Sequence, residues 1–189
     1  LSKQIRLVTI FEDEWKNKRH QCEGILRSVI GSYDIKIPAR KCRIEQADKK
    51  GVKSLCETHH LQGGNNLGLV SFTLNFDGEP VAGMSLGRHH RKHQLTLDRL
   101  WFKAGVQVVG GASKLFNRCK KWAIENGHKE IISWSDNRWS QGGVYTTLGF
   151  ELDAELQPDY YYVNLAKPYI RISKQSQKKS NTGCDKNTT

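Results

Sequence analysis

The feature that most constrains the fold is a glycine-containing turn in front of the clearest helix of the chain. Apolar residues recur at helical spacing over 112–125 and predict an amphipathic helix. They are Leu115, Phe116, Cys119, Trp122 and Ala123. Just before this helix, Gly110 and Gly111 allow the backbone to approach a ligand closely, and the free N–H groups of the first turn suit an anion such as pyrophosphate. The alternative is a tight strand-to-helix turn in which the glycines only relieve steric crowding.

Strand-like and helical runs alternate through the rest of the chain and predict an α+β fold. Strands are predicted at 5–11, 35–44, 67–74, 81–87, 95–102, 131–135, 149–153 and 160–165. Further helices are predicted from Trp15 to near Gly31, at 47–58 and at 141–148. Asp77-Gly78 is a strong signal for a hairpin turn. This order predicts one mixed, mostly antiparallel sheet that is flanked by helices.

The charge of the chain points to an anionic partner. Thirty Lys and Arg residues against 19 Asp and Glu residues give a formal net charge of +11. Nucleic acid is one explanation, and an anionic cofactor or ordinary basic solubility is another. No stretch approaches the roughly 18 consecutive apolar residues of a membrane span, so no membrane partner is expected. Five scattered cysteines without a C-x-x-C motif predict reduced thiols in a cytoplasmic setting.

Two short motifs resemble the Gcn5-related N-acyltransferase (GNAT) family. Gln107, Gly110 and Ala112 match its Q/R-x-x-G-x-G/A turn, and Tyr145-Thr-Thr-Leu-Gly149-Phe150 matches its Y-x-x-x-G-F motif. The resemblance covers about 36–166. It implies a GNAT-like fold and binding of acetyl-CoA or another acyl-CoA. The implied cofactor-binding residues are Gln107, Val108, Val109, Gly110, Gly111, Ala112 and Ser113. The resemblance also implies that Tyr145 acts as the general acid on the departing thiolate.

An acyltransferase also needs a group that takes the proton from the attacking amine. Asp98, Asp136 and Glu151 are the candidates, and Asp136 is taken as the catalytic residue beside Tyr145. Asp136 lies in SDNRWS, which combines an acid, a cation and a stacking surface. The alternative is a capped loop with a buried tryptophan. No metal site is expected.

A second resemblance is to the carboxyl-terminal region of phage Vsr-like (EDxHD, "Hef-like") homing endonucleases. It rests on IFEDEW, ARKC, HHLQG, VVGGASKLF, SDNRWS and PDYYYV, which occur in the same order along nearly the whole chain. The catalytic E-L-D and histidine segments of that family have no counterpart here, so the chain is not expected to cut DNA alone. The expected division is a strand-helix remnant of the nuclease domain at 1–34, a GNAT-like domain at 35–166 and a disordered basic tail at 167–189. A phage-infected host cytoplasm is the expected location.

This resemblance makes DNA the expected partner. The residues expected to contact nucleic acid are Arg88, His89, His90, Arg91, Lys92, Lys114, Arg138 and Trp139. The leading hypothesis is therefore a DNA-binding GNAT-like domain of a homing-endonuclease-type protein. The alternative is an acyl-CoA-dependent N-acyltransferase, or an enzyme that modifies nucleobases like the GNAT-related Mom-type proteins of phages.

Overall fold

The computed structural model describes residues 5–64, 68–89 and 94–177. The helices are α1 (Glu12–Asn17), α2 (Arg19–Val29), α3 (Lys49–His59), α4 (Gly111–Glu125) and α5 (Gly143–Leu148). The strands are β1 (Ile35–Pro38), β2 (Arg43–Gln46), β3 (Val70–Phe76), β4 (Glu79–Arg88), β5 (Leu95–Phe102), β6 (Val106–Val109), β7 (Tyr161–Asn164) and β8 (Lys167–Ser173). Short 3₁₀ turns occur at Ala39–Lys41 and Lys174–Gln177.

Four antiparallel strands, in the order β2-β3-β4-β5, form the main sheet. The β3–β4 hairpin turns at Asp77 and Gly78, which have φ values of 50° and 84°. Positive φ at both central residues is the geometry of a tight hairpin turn that matches the strand twist. The predicted hairpin and the mostly antiparallel sheet are therefore confirmed.

The apolar face of α4 packs against this sheet. One cluster of buried residues joins Leu74, Leu86 and Leu97 of the strands to Leu115 and Cys119 of the helix. Burial raises the pKa of Cys119 to about 12, which keeps this thiol protonated and unreactive. A second cluster places Val52 and Cys56 of α3 against Trp101 of β5.

A parallel pair, β1 with β6, lies outside the main sheet in the strand order. Its register runs from Ile35 opposite Val106 to Pro38 opposite Val109. Gln107, Val108 and Val109 were expected in a phosphate-binding turn, but they form this strand. The β-branched side chains of Val108 and Val109 favour a strand, and β1 supplies the hydrogen-bond partners.

Four predicted strands are wrong in part or entirely. The predicted strand at 35–44 is two strands, β1 and β2, separated by the 3₁₀ turn at Ala39–Lys41. Residues 5–11 and 149–153 form no strand, and of 131–135 only Ile132 makes a parallel bridge, to Thr96. Each run has strand-like composition, but a strand also needs a neighbour that satisfies its backbone groups. The predicted amino-terminal helix is also interrupted, since α1 ends at Asn17 and α2 begins at Arg19.

The contacts divide the chain into two compact units. Among the described residues, one unit combines 5–9 with 20–151, and the other combines 10–19 with 152–177. The first unit holds the main sheet, the β1–β6 pair and α4. The assignment of 1–34 to a nuclease remnant stays a prediction.

The second unit is organised around Arg171 of β8. Its guanidinium donates from Nε to Asp13 Oδ2 at 2.7 Å and from Nη2 to Glu14 Oε1 at 2.8 Å. The same group lies 4.0 Å from the ring centroid of Phe11 and 5.0 Å from that of Tyr161. The disordered tail predicted from residue 167 is therefore wrong for β8, because this strand pairs with β7 and its arginine meets two carboxylates. Residues 178–189 of that prediction lie outside the described part.

We expect Arg171→Ala to destabilise the second unit by about 2–3 kcal/mol, because it leaves two largely buried carboxylates without their cation. Arg171→Lys keeps the charge but lacks the planar fork, so an intermediate loss is expected. Amide hydrogen exchange along β7 and β8 measures the effect. Arg27→Ala is the control, since its ion pair with Asp34 is exposed. Unchanged exchange in Arg171→Ala would contradict this role.

Candidate active site

The turn between β6 and α4 is built on Gly110. This residue has a φ of 77° and is the N-cap of α4, with no side chain that caps the helix. Lys114 N–H donates to the carbonyl of Gly110, which begins the helix. The N–H groups of Gly111, Ala112 and Ser113 precede the first intrahelical donor and carry the positive end of the helix dipole. These N–H groups suit an anion, and the binding of one at this turn stays a prediction.

Gly111 ties this turn to the end of β5. A Cβ atom at Gly111 would lie 3.0 Å from Phe102 Cε1 and 3.0 Å from Val108 Cβ. Phe102 is the last residue of β5, so the turn lies at the carboxyl end of that strand. The absence of a side chain at Gly111 is what permits this close approach.

The gap of this site is the break in backbone pairing between β5 and the segment after Ile132, which share a single bridge. Leu97 N–H donates to Ile132 O, and Ile132 N–H donates to Leu95 O, both at 2.9 Å. Beyond this bridge Ser133 Oγ donates to Leu97 O at 3.1 Å, and no further backbone pairing joins the two segments within the described residues. The gap therefore opens towards Phe102, the same end of β5 at which Gly111 lies. Such a gap leaves strand edges free to bind an extended chain.

A β-bulge at Asp98 lies where this pairing ends. Leu97 is opposite Leu86 and Arg99 is opposite Ser85, so Asp98 is the extra residue of β5. Its carboxylate accepts a hydrogen bond from Thr96 Oγ1 at 2.8 Å and lies against Gly87, where a Cβ would collide with it. Burial raises the pKa of Asp98 above its ordinary value. A buried carboxylate with a raised pKa is a suitable proton acceptor.

Tyr145 of α5 lies beside the diverging segment. Its hydroxyl donates to Trp134 O at 3.0 Å and lies 3.3 Å from Ser133 Oγ. Gly149 ends α5 with a φ of 85°, and the next residue, Phe150, packs edge-on against the Tyr145 ring at 5.5 Å. The glycine and phenylalanine of the Y-x-x-x-G-F motif therefore hold the Tyr145 ring in its position. The structure brings the phenol to the gap, and its catalytic role stays a prediction.

Asp136 has the geometry of the capped loop rather than that of a free base. Its carboxylate accepts the backbone N–H of Arg138 at 3.1 Å and Arg138 Nη2 at 2.7 Å. Its carbonyl accepts the N–H of Trp139. An acid engaged in this way is a poor proton acceptor, and Asp98 is better placed. Asp98 was only one of three candidates in the sequence, because its bulge cannot be recognised from spacing.

The residues that were predicted to contact nucleic acid differ in their exposure and in their contacts within the protein. Arg88 is exposed at the end of β4, and the His89 ring stacks on Trp134 with centroids 5.3 Å apart. Lys114 Nζ donates to the carbonyls of Ala39 and Cys42 at 2.9 and 2.6 Å. His90, Arg91 and Lys92 lie outside the described residues.

Sequence reasoning missed a shallow depression of about 650 Å³ beside the glycine turn. It lies where β1 and β6 end. Its lining residues are Pro38, Ala39, Arg40, Val109, Gly110 and Lys114. Only the parallel β1–β6 pairing brings residues 38–40 to this place, and no local signal in the sequence reveals that pairing.

The described residues contain neither a metal-binding cluster nor a helix that could span a membrane. Across 5–64, 68–89 and 94–177, no group of three or more His, Cys, Asp or Glu side chains is arranged to hold a metal ion. None of the described helices combines the length and the apolarity that a membrane-spanning helix needs.

The sequence matches the family model of the acetyltransferase (GNAT) family over residues 39–150. This match covers more than half of the chain and includes the glycine turn, the bulge and Tyr145. The chain belongs to the GNAT acetyltransferase family, and its α+β fold, with an antiparallel sheet flanked by helices, is the GNAT fold. The predicted GNAT resemblance is confirmed.

Solved structures with a similar fold include three acetyltransferases. Aminoglycoside N-acetyltransferase AAC(6')-Iy in complex with CoA is 19% identical, with a TM-score of 0.48, and 62% of this chain and 98% of that chain are covered. YhbS of Escherichia coli in complex with CoA is 14% identical, with a TM-score of 0.48, and 59% of this chain and 69% of that chain are covered. A predicted acetyltransferase with acetyl-CoA from Clostridium acetobutylicum is 16% identical, with a TM-score of 0.43, and 62% of this chain and 96% of that chain are covered. No curated protein matches the sequence.

We expect Gly110→Ala to lower the free energy of unfolding by about 1–2 kcal/mol, because a Cβ atom penalises the left-handed backbone at this position. The control is Gly143→Ala at the start of α5, where φ is not positive and an added Cβ meets no atom within 4 Å. That substitution is expected to be neutral or slightly stabilising. Denaturant unfolding measures both variants, and equal stabilities would show that the turn does not depend on its left-handed glycine.

Proposed function

We propose that this protein is an acyl-CoA-dependent N-acyltransferase. The observation that carries the proposal is the uncapped start of α4 behind Gly110, at the same end of β5 as the gap. Family membership supports the same reaction class. Fold alone does not determine chemistry, so the proposal depends on these residues and their surroundings.

The residues present fit the shape and charge of acyl-CoA. The N–H groups of Gly111, Ala112 and Ser113 would hold the pyrophosphate, since helix starts bind such anions. The open edges of β5 and of the segment after Ile132 would hold the extended pantetheine arm. When bound, acyl-CoA supplies a thioester whose acyl group can be transferred to an amine.

Two side chains would move the protons. Asp98 accepts the proton that the amine nitrogen loses as the new amide bond forms. Tyr145 donates its phenolic proton to the sulfur as the carbon–sulfur bond breaks, and solvent returns that proton to the phenolate. The raised pKa of Asp98 makes its carboxylate a stronger base than an exposed aspartate.

We expect acetyl-CoA at about 100 times its dissociation constant to stabilise the protein by about 2.7 kcal/mol, which is seen as a rise in the melting temperature. Gly110→Val is expected to abolish this rise, because a branched side chain distorts the turn. Asp98→Asn is expected to keep the rise but to lower thiol release on a panel of primary amines roughly 10²–10⁴-fold. The wild-type rate is expected to fall as the pH falls through the pKa of Asp98, because the protonated acid cannot accept a proton.

Folded wild-type protein that shows no melting shift at saturating acetyl-CoA would contradict the proposal. Glu151→Gln is the matched control for Asp98→Asn, since it removes the remaining carboxylate candidate by the same chemical change. An equal loss of rate in both variants would show that Asp98 is not the specific proton acceptor.

DNA binding is a second candidate function, favoured by the net charge of +11. It is compatible with the first, because DNA can be the partner or the acceptor of a GNAT enzyme. The relationship to homing endonucleases and to Mom-type proteins stays a prediction that depends on the resemblance alone.

If DNA is a partner, the logarithm of its binding constant should fall linearly with the logarithm of the salt concentration, by about 0.9 for each phosphate contacted. Charge reversal at Arg88, Arg91 and Lys92 should weaken binding to every sequence tested. Fluorescence anisotropy with a labelled duplex measures both effects. Binding that is absent, or equal at low and high salt, would exclude this candidate.

A further inference from the structure

The depression beside the glycine turn has a second wall that is not part of the helix start. Pro38 is opposite Val109 at the end of the parallel pair, so the chain leaves both strands side by side. After β6 it enters the glycine turn, and after β1 it enters the 3₁₀ turn at Ala39–Lys41. Ligands of parallel strands commonly bind at such carboxyl ends.

Lys114 fixes the second wall to α4. Its ammonium donates to Ala39 O at 2.9 Å and to Cys42 O at 2.6 Å, which are the carbonyls on either side of the turn. Charge-assisted hydrogen bonds of this kind hold backbone strongly. Lys114 therefore keeps the 3₁₀ turn beside Gly110 and adds a positive charge to the same depression.

Arg40 is the cation that this arrangement leaves available. It is exposed and lines the depression with Gly110, and in the described part of the chain no carboxylate forms an ion pair with it. Lys41, the next residue, lines a different depression that also contains the carboxylates of Glu45 and Asp77. Successive side chains of a 3₁₀ turn point about 120° apart, which explains the separation.

We propose that Arg40 binds a phosphate group in the nucleotide half of CoA and thereby selects this donor over acyl thioesters without a nucleotide. The inference rests on the proposed function and adds a residue outside the glycine turn. The planar guanidinium matches phosphate oxygens with two parallel hydrogen bonds. Lys114 is the positioning residue that holds Arg40 in reach.

Two phosphates of CoA have the chemistry that Arg40 recognises. One is the pyrophosphate bound by the helix start, and the other is the 3′-phosphate of the ribose. Binding of CoA and of 3′-dephospho-CoA distinguishes them. If Arg40→Ala loses affinity for CoA alone, Arg40 binds the 3′-phosphate. If it loses affinity for both ligands, Arg40 binds the pyrophosphate.

We expect Arg40→Ala to weaken CoA binding roughly 10- to 100-fold, as for a lost charge-assisted hydrogen bond, when measured by isothermal titration calorimetry at fixed salt. Lys41→Ala removes the same charge from the neighbouring position and is expected to change the affinity less than about 2-fold. Lys114→Met is expected to weaken binding as well. Its effect should be less than additive with that of Arg40→Ala, because both act through one contact.

Equal unfolding midpoints of the wild type and of Arg40→Ala establish that this exposed substitution leaves the fold intact. If the wild type binds CoA and Arg40→Ala binds it equally well, or if Lys41→Ala loses as much affinity as Arg40→Ala, the inference is wrong and the proposed function stands. If the folded wild type binds no CoA, the proposed function itself fails.

Discussion

The site depends on the point at which hydrogen bonding between two parallel segments stops. Leu95 and Leu97 of β5 bond to Ile132, and the pairing ends after that single bridge. Beyond this point side chains bond some of the backbone carbonyls, since Ser133 Oγ donates to Leu97 O and the Tyr145 hydroxyl donates to Trp134 O. The bulge at Asp98 lies at the same point along β5, in its pairing with β4 on the opposite edge.

Much of the scaffold could be predicted from local signals. The helix at 112–125 has a regular apolar face, and Asp77-Gly78 specifies its turn by backbone conformation alone. The glycine turn was recognisable for the same reason, since Gly110 requires a positive φ. The two motifs were sufficient to identify the family, although they nominate no single carboxylate as a proton acceptor.

What the sequence could not show depends on pairing between distant segments. Val106–Val109 is a strand only because β1 lies beside it, and 131–135 is reduced to one bridge because its neighbour diverges. The β1–β6 pairing also brings Arg40 beside the glycine turn. Charge alone also did not show which basic side chains have partners within the chain. Lys114 and Arg138 were expected at DNA, yet one binds backbone carbonyls and the other pairs with Asp136.

The ion pair between Asp13 and Arg171 joins residues that are 158 positions apart. A contact of such long range forms only after the intervening chain has been ordered or synthesised. On the ribosome, all residues of the main sheet and α4 are therefore synthesised before β8. The segment around Phe11 can make its contacts with Arg171 only after β8 has been synthesised. The residues of the first unit are thus complete before those of the second unit.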